Sequence, residues 1–491
     1  MDILTNPEFV IVGGGISGLL LALRLSRDPK KRERGIHLIE KQPQLGGRFF
    51  FSSTFKFTGK NSEEISQEIN ENAFKNLYLS GPGFESMEAG TLEALYRHVE
   101  SHLTEDEKNQ IEEILIQDNS LDFNKINKCY IVKKEFVSEV DLFSGSSEIF
   151  TKKDSELFKS LVFDFYNSNH LNEDNNSQAK DFTIFEKSTF WNECGKGTKE
   201  TFAPILTSLV GPQWEKATFQ YVCKALYDFF SNHKNTIPPS FFRKKGLEFA
   251  IEKILRHRGV IIRTLCEVVR VHYNKVTKFQ LLLSDEIQPL NKILKCSKLI
   301  LAIPLVKCLG LLPKENFSPS QSRFVSKVRP VSLVISEISD FLSVKSEQWP
   351  EQSGSGDRLV FPVERAQGFV THDGRILFST KLEYEESLQA PSVREAISRL
   401  RRAAARVLKS EFAEEFKKGA RIPQNKLLER IVLLPVAFTI PCDMSPQIEV
   451  KETKMGIEGL YCCGDSFPGF ASEPWKMVVS SVHDVAMQLN S

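Results

Sequence analysis

A glycine-rich turn between two apolar runs constrains the fold of this chain more than any other feature of the sequence. The turn contains the pattern G-x-G-x-x-G, at Gly13, Gly15 and Gly18. The apolar run Phe9–Val12 precedes it, a helical pattern follows to about Ser26, and a second apolar run, 36–39, ends at Glu40. A strand, a helix and a strand within about 32 residues form a βαβ unit, which requires a parallel sheet. The sequence therefore predicts an α/β fold.

This glycine pattern is typical of dinucleotide-binding βαβ units. The first glycine makes a tight turn, the second lets a pyrophosphate approach the backbone, and the third allows close helix–strand packing. The helix N-terminus attracts the pyrophosphate, and an acid placed like Glu40 accepts hydrogen bonds from ribose. A glycine-rich turn beside an unrelated exposed glutamate is the alternative. We assign to the cofactor site Gly13, Gly14, Gly15, Ile16, Ser17, Gly18, Glu40 and Lys41.

Two further segments carry binding signals. Gly46-Gly47-Arg48 follows Glu40 and supplies a second close backbone approach, together with a guanidinium suited to bidentate phosphate contact. Near residue 460, a strand-like segment runs into Gly464-Asp465, and a helical pattern begins near Pro474. Together these motifs resemble the FAD-binding flavin amine oxidase superfamily, which includes protoporphyrinogen oxidases and phytoene desaturases.

The resemblance implies that the dinucleotide is FAD. The segment Gly459–Asp465 is similar to the family motif LYxxGD, in which Asp465 would hydrogen-bond the ribityl chain or the pyrophosphate region. The helix that follows, including Met477, would point its N-terminus at the N1/C2=O edge of the flavin. Val268 falls where a family valine contacts adenine through its backbone. Weaker similarities lie at Gly81-Pro82, Phe241–Leu247, Ala302-x-Pro304 and Ile440-Pro441.

The expected architecture is an FAD-binding Rossmann-type (GR2-like) domain interleaved with an α+β substrate domain that contains an antiparallel sheet and helices. The FAD-binding segments would be residues 1–84, 238–312 and 448–491. The substrate domain would comprise a helical part, 85–237, and a sheet and helix part, 313–447.

Local patterns predict the main elements of these segments. Helical patterns cover 92–103, 202–230, 247–256 and 393–416, and 28–35 is expected to be a solvated basic loop. Strands are expected at 331–335, 359–363, 368–371 and 375–380, with a tight hairpin turn at Asp373-Gly374. The basic face of 393–416 is interpreted as solvated; a docking face for an acidic partner or lipid is the alternative.

The sequence departs from the family where catalysis is concerned. Related amine oxidases have a lysine that is water-bridged to flavin N5; Lys327 is a candidate for it, and a surface lysine is the alternative. Trp475 and Lys476 stand where the family has small residues close to the flavin, which makes them candidate site residues.

Cys442 and the pair Cys462-Cys463 raise the possibility of covalent flavin attachment; a buried structural role is the alternative. His98 and His102 have helical i, i+4 spacing without further ligands, so we expect no metal.

The composition of the chain indicates which classes of partner and which compartment to expect. The net charge of +1 argues against a nucleic-acid partner. Nine cysteines without a zinc or disulfide spacing indicate a reduced, cytoplasmic chain. No apolar run approaches the ~20 residues of a membrane span, although peripheral membrane contact stays possible. The 37 Phe, against 9 Tyr and 4 Trp, suit an apolar or aromatic small-molecule substrate, although packing of the core explains most of them.

We therefore expect an FAD-dependent oxidoreductase that takes a hydride from a substrate C–H bond onto flavin N5, is similar to amine oxidases and is reoxidised by oxygen. One alternative is an oxidase or desaturase of a lipophilic porphyrinogen or polyene. The other is a non-catalytic binding protein similar to the Rab GDP-dissociation inhibitors. The sequence leaves the oligomeric state open.

Overall fold

The structure is a computed structural model that contains both strands and helices. It describes residues 6–47, 87–88, 98–114, 128–133, 136–140, 150–160, 184–230, 236–237, 247–285, 292–312, 319, 322, 328–338, 345–346, 357–370, 375–417, 429–442, 457–464 and 474–490. The strands are β1 (Phe9–Val12), β2 (Ile36–Ile39), β3 (Met87–Glu88), β4 (Cys129–Lys133), β5 (Phe136–Glu139), β6 (Thr236–Ile237), β7 (Ile261–Arg263), β8 (Cys266–Asn274), β9 (Lys278–Asp285), β10 (Lys292–Cys296), β11 (Lys298–Leu301), β12 (Val328–Ile338), β13 (Arg358–Phe361), β14 (Ala366–Val370), β15 (Ile376–Glu383), β16 (Glu429–Pro441) and β17 (Leu460–Cys462). The helices are α1 (Ile16–Leu25), α2 (Pro29–Glu33), α3 (Glu105–Ile114), α4 (Lys152–Phe158), α5 (Thr189–Glu193), α6 (Lys196–Leu209), α7 (Phe219–Phe230), α8 (Leu247–His257), α9 (Leu305–Leu311), α10 (Tyr384–Ser387), α11 (Ala390–Ala405), α12 (Ser410–Lys417) and α13 (Pro474–Gln488). The mixed α/β fold that the sequence predicts is thereby confirmed.

A parallel sheet joins segments from distant parts of the chain. Its strand order is β17-β11-β1-β2-β7, and each neighbouring pair runs parallel. Strands β1 and β2 are buried along their whole length, as expected for a parallel sheet covered on both faces. When the five strands are numbered by their order in the sequence and read from β7, the sheet has the order 3-2-1-4-5, which is the arrangement of a Rossmann sheet. The order reverses between β1 and β11, which is where such sheets bind ligands.

Helices cover one face of the parallel sheet and a three-stranded meander covers the other. Helix α1 packs between α8 and α13, and it is apolar and buried nearly all round because both neighbours and the sheet surround it. The opposite face contacts the antiparallel sheet β10-β9-β8, with Val10, Leu299 and Leu281 in one buried cluster. The sheet edge at the carboxyl ends of the strands is thereby held between two packed layers.

A second, seven-stranded sheet forms the other half of the molecule. Its order is β16-β12-β15-β14-β13-β4-β5, and its neighbouring strands are antiparallel except for the parallel pair β13 and β4. Helices α11 and α12 bury one part of this sheet. The antiparallel sheet with helices that the sequence predicts is confirmed, whereas the exact domain boundaries stay a prediction.

Phenylalanines fill the core between α4, α5, α6 and α7. Phe158, Phe190 and Phe202 are fully buried, and their ring centroids lie 5.5 to 6.1 Å apart in edge-to-face arrangements. Such pairs pack rings against one another. The packing role that the sequence favours for most phenylalanines accounts for this cluster.

Three predicted elements are wrong in detail. Residues 28–35 contain helix α2, because the Asp28 side chain accepts a hydrogen bond of 2.9 Å from the Lys30 amide and Pro29 begins the helix. The pattern 202–230 breaks after α6, where Gly211 adopts φ +135° ahead of a proline.

The third correction concerns 393–416, which forms α11 and α12 rather than one helix. The break falls where the Ser346 amide donates to the Val407 carbonyl over 2.8 Å, because this strand-like pairing replaces helical hydrogen bonds. The basic face is also not wholly solvated: Arg401 pairs with Glu429 at 2.8 Å, and Arg406 pairs with the buried Glu364 at 2.6 Å.

Some predictions concern residues outside the described part of the chain, among them the Asp373-Gly374 turn and the first half of the helix expected at 92–103. Across the described residues, no helix is long and apolar enough to cross a membrane.

Candidate dinucleotide site

The candidate site lies at the carboxyl ends of the parallel strands. The chain turns at Gly13 after β1, at Glu40 after β2, at Ala302 after β11 and at Gly464 after β17. Because the strands are parallel and adjacent, these four turns meet along one edge of the sheet. The reversal of strand order between β1 and β11 makes this edge the expected ligand crevice.

Two of the three motif glycines are required by close packing. Gly13 adopts φ +108°, and a Cβ there would lie 2.4 Å from the carbonyl oxygen of Ala302. A Cβ on Gly18 would lie 2.0 Å from the carbonyl oxygen of Gly13. Both distances are impossible for a side chain, so the turn sits directly against β11 and α1 sits directly against the turn. The Ala302-x-Pro304 segment, whose similarity to the family is weak, thus contacts the G-x-G-x-x-G turn, which is the strongest motif in the sequence.

Gly15 differs, because a Cβ on it would meet nothing within 4 Å. Its φ of −67° is open to any residue, so neither strain nor packing explains the glycine. Gly15 caps the N-terminus of α1, where no side chain caps the first amides. A helix start with open space before its amides is suited to bind a phosphate group.

The second glycine motif closes the other side of this space. The Gly46 amide donates to the Gly14 carbonyl over 2.8 Å, and Gly46 pairs with Gly15 in a parallel bridge. Gly47 adopts φ +55°, and a Cβ on it would lie 3.1 Å from the Gly15 Cα. The two motifs, about 30 residues apart in sequence, therefore form one backbone cradle.

Glu40 is oriented by backbone amides. Its Oε2 accepts a hydrogen bond of 2.7 Å from the Gly14 amide, and its Oε1 accepts one of 2.8 Å from the Gln42 amide. Burial raises the pKa of the Glu40 carboxyl, and these two hydrogen bonds oppose that rise. Each carboxylate oxygen retains a lone pair for a further donor such as a ribose hydroxyl. Lys41 is half-exposed and pairs with Glu267 at 3.6 Å.

The chain after Glu40 is tied to the start of β8. The Cys266 amide donates to the Glu40 carbonyl over 3.0 Å, and the Leu265 amide donates to the Gln42 carbonyl over 3.1 Å. Leu265 adopts φ +54° to make this connection. Val268 follows in β8, buried, next to a bulge in the ladder with β9. Its assignment to adenine stays a prediction.

The C-terminal motif reaches the same cradle. A Cβ on Gly464 would have the Ser17 hydroxyl of α1 as its nearest neighbour, at 3.9 Å. Helix α13 begins at Pro474, as the sequence predicts. Trp475, Lys476 and Met477 lie in its first turn, where the structure describes the backbone alone.

Several predicted site residues lie outside the described part of the chain. These are Arg48, Asp465 and Lys327, together with Gly81-Pro82 and residues 241–246. Their roles stay predictions.

Sequence reasoning missed Ser481, whose hydroxyl contacts the Gly464 amide at 3.0 Å. This contact joins a helix to the end of a strand, and no local spacing in the sequence indicates it. Ser481 belongs to the tract that replaces the small residues of the family. Its difference from the family pattern is the one signal in the sequence that points to it.

Burial shifts the pKa of several cysteines and histidines away from their ordinary values. Cys442, Cys462 and Cys463 are buried and form no disulfide, and burial raises the pKa of the Cys463 thiol to about 12, which disfavours a nucleophilic thiolate. Burial, then neighbouring cations, lower the pKa of His98 and His102 to about 4. In the part of the chain that the structure describes, no group of three or more His, Cys, Asp or Glu side chains is placed to hold a metal ion.

Comparison with known proteins agrees with this geometry. The NAD(P)-binding Rossmann-like domain family matches residues 11–62, which contain both glycine motifs and Glu40. No curated protein matches the chain significantly.

Solved structures resemble the whole chain. Putrescine oxidase bound to putrescine is 12% identical, with 99% of each chain covered and a TM-score of 0.59. Cyclohexylamine oxidase from Brevibacterium oxydans is 12% identical, with 99% of this chain and 100% of that chain covered and a TM-score of 0.57.

The chain shares the fold of these amine oxidases. A fatty acid isomerase from P. acnes that produces CLA has the same fold, at 11% identity, complete coverage of both chains and a TM-score of 0.55. The resemblance to the flavin amine oxidase superfamily is therefore supported at the level of the fold.

Proposed function

We propose that the protein is an FAD-dependent oxidoreductase. The observation that carries this proposal is the open cradle at Gly15, bordered by the helix N-terminus of α1, the Glu40 carboxylate and Gly464. These residues fit a dinucleotide: the amides suit a pyrophosphate, the carboxylate suits a ribose, and Gly464 leaves room for the part that extends toward β17. The Gly46-Gly47-Arg48 and Gly464-Asp465 motifs favour FAD over NAD.

When bound, FAD would supply the two-electron acceptor, taking a hydride from a substrate C–H bond at N5. The protein would orient the cofactor through its backbone cradle and hold the adenosine end through Glu40. Helix α13 begins after the Gly464 turn, so its N-terminal dipole would stabilise negative charge at the flavin end. Reoxidation by oxygen belongs to the same proposal.

An amine is the first candidate for the substrate, because two structures with this fold are oxidases of putrescine and cyclohexylamine. A lipophilic substrate is the second candidate. The fatty acid isomerase of the same fold favours it, as does the replacement of small family residues by Trp475 and Lys476. In both cases the substrate is a small molecule with a C–H bond that can be presented to the flavin.

The visible spectrum of the purified protein, before and after addition of FAD, tests the cofactor. We expect flavin absorption bands that remain with the protein through gel filtration. A protein that retains no FAD would overturn the oxidoreductase and leave a flavin-free binding protein of the same fold.

Anaerobic titration of the flavin distinguishes the substrates. We expect a panel of primary amines and amino acids to bleach the flavin, and admission of air to restore it with release of hydrogen peroxide. Bleaching by polyenes or porphyrinogens alone would establish the lipophilic candidate instead.

A further inference from the structure

Ser481 lies in the middle of α13, and its side chain is completely buried. Its hydroxyl oxygen accepts a hydrogen bond of 3.0 Å from the Gly464 amide. The hydroxyl proton has two carbonyl acceptors within reach, at Val478 (3.0 Å) and at Gly464 (3.3 Å). Ser481 therefore accepts from the Gly464 amide, while its single proton can be donated either to its own helix or to the Gly464 carbonyl.

The Gly464 amide needs this partner because the chain leaves the sheet at this point. The preceding amide, of Cys463, still donates to the Leu301 carbonyl of β11 over 3.1 Å. The Gly464 amide donates instead to the Ser481 hydroxyl of α13, and Gly464 adopts φ +144°, a conformation that favours glycine. Gly464 is partly buried, and an amide left without a partner there is costly, so the Ser481 hydroxyl stabilises this particular turn.

The turn determines where the C-terminal motif meets the cradle. Gly464 faces the Ser17 hydroxyl at the start of α1, and Asp465 follows directly in the sequence. A rotation of the peptide at Gly464 would change both the distance to α1 and the direction of the chain toward Asp465. Ser481 is thus connected to the cofactor site through one backbone amide.

We propose that Ser481 is a positioning residue for the dinucleotide, which holds the Gly464 turn in the conformation that accepts the flavin half of FAD. This inference rests on the proposed FAD-dependent function. Ser481 itself contacts the turn, not the cofactor.

The test compares three serine-to-alanine variants of the full chain. Ser481→Ala removes the hydroxyl under study. Ser480→Ala changes the adjacent, exposed position of the same helix. Ser387→Ala removes a fully buried hydroxyl, bonded at 2.7 Å to the Tyr384 carbonyl in the other half of the molecule, and controls for general destabilisation.

Two measurements are made on each variant: the Kd of FAD, from quenching of flavin fluorescence on titration of apoprotein, and hydrogen exchange at the Gly464 amide. For Ser481→Ala we expect about tenfold weaker FAD binding and faster exchange at Gly464. Ser480→Ala and Ser387→Ala should match the unmodified protein in both measurements.

The outcomes separate the two proposals. FAD affinity in Ser481→Ala equal to that of Ser480→Ala would overturn the positioning role and leave the proposed function intact. Failure of the unmodified apoprotein to bind FAD would overturn the proposed function, and the positioning role with it. Equal loss of affinity in Ser387→Ala would show that Ser481 acts through stability alone, which also overturns the positioning role.

Discussion

The Gly14 amide donates a hydrogen bond of 2.7 Å to the Oε2 of Glu40, which joins the turn after β1 to the end of β2. The Gln42 amide donates to the other carboxylate oxygen. Two donors, one on each oxygen, therefore fix the orientation of the carboxylate. Glutamine at position 40 would have to place an NH2 group against one of these donors.

The first prediction follows from this arrangement. Glu40→Gln should weaken FAD binding about tenfold or more, because one donor faces another donor, and Glu40→Ala should give largely apoprotein. The ratio of flavin to protein absorbance after purification measures both effects. Glu105→Gln, at an exposed carboxylate of α3 that pairs with Lys108, is the matched control and should retain full occupancy. Full occupancy in Glu40→Ala would refute the assignment of the ribose site.

The second prediction separates binding from packing within one motif. Gly15→Ala should leave the free energy of unfolding within about 1 kcal/mol of the unmodified value, because the new methyl group meets nothing within 4 Å. It should nevertheless weaken FAD binding, since the methyl group occupies the cradle. Gly18→Ala should destabilise the fold by about 3 kcal/mol or more, because its methyl group collides with the Gly13 carbonyl.

Urea unfolding and FAD titration of these two variants are the measurements. Normal FAD affinity in a folded Gly15→Ala variant would show that no phosphate lies against this glycine.

The third prediction concerns Glu248 in the first turn of α8. Burial raises the pKa of its carboxyl to about 7, and among the described residues its Oε2 has no hydrogen-bond partner. The ordinary value is 4.5, so between pH 4.5 and 7 the folded protein binds the proton more tightly than the unfolded chain does. The free energy of unfolding should therefore fall as pH rises through this window, by about 3 kcal/mol in all.

Glu248→Gln should abolish this decline and stabilise the protein at pH 8. Urea unfolding at pH 5, 6, 7 and 8 measures the slope. Glu252→Gln, on the same helix and paired with Arg256, should leave the slope unchanged. An unchanged slope in Glu248→Gln would contradict the raised pKa.

The fourth prediction concerns a buried ion pair behind α1. The Arg258 guanidinium donates to Glu107 over 2.6 Å, and also to the carbonyl oxygens of Leu23 and His102. Arg258→Met should destabilise the protein by about 3–5 kcal/mol, because it leaves the Glu107 carboxylate buried without its partner. The double variant Arg258→Met/Glu107→Met should recover much of that loss.

Denaturant unfolding of the two single variants and the double variant gives the coupling between the two residues. Additive losses would mean that the pair does not act as a unit.

The sequence predicts the parts of the fold that depend on consecutive residues. Strands β1 and β2, the turn at Gly13 and the start of α13 at Pro474 all follow from local signals: apolar runs, glycine spacing and proline at a helix start. The helix-start signals at Asp28-Pro29 also indicate α2. The basic charge of residues 28–35 favoured a solvated loop instead, so the helix was not predicted.

Contacts between distant segments were beyond prediction. The break between α11 and α12 depends on the pairing of Ser346 with Val407, and the inward arginines of α11 depend on partners such as Glu429 in β16. The hydrogen bond from Gly464 to Ser481 is of the same kind. A helical pattern predicts which face is polar, but the neighbours that a face meets are determined by the packing of other elements.

The strand order of the parallel sheet has a consequence for synthesis of the chain. Strand β17 occupies the edge beside β11, and α13 packs on α1, so the first and last helices of the described chain are direct neighbours. Contacts across more than 400 residues form late, since loop closure over long separations is entropically costly. Helix α1 can pack on α13, and β11 can pair with β17, only after residues 460–488 have been synthesised. A chain truncated before residue 460 lacks β17, α13 and the Gly464-Asp465 motif, so under the proposed function it should be unable to retain FAD.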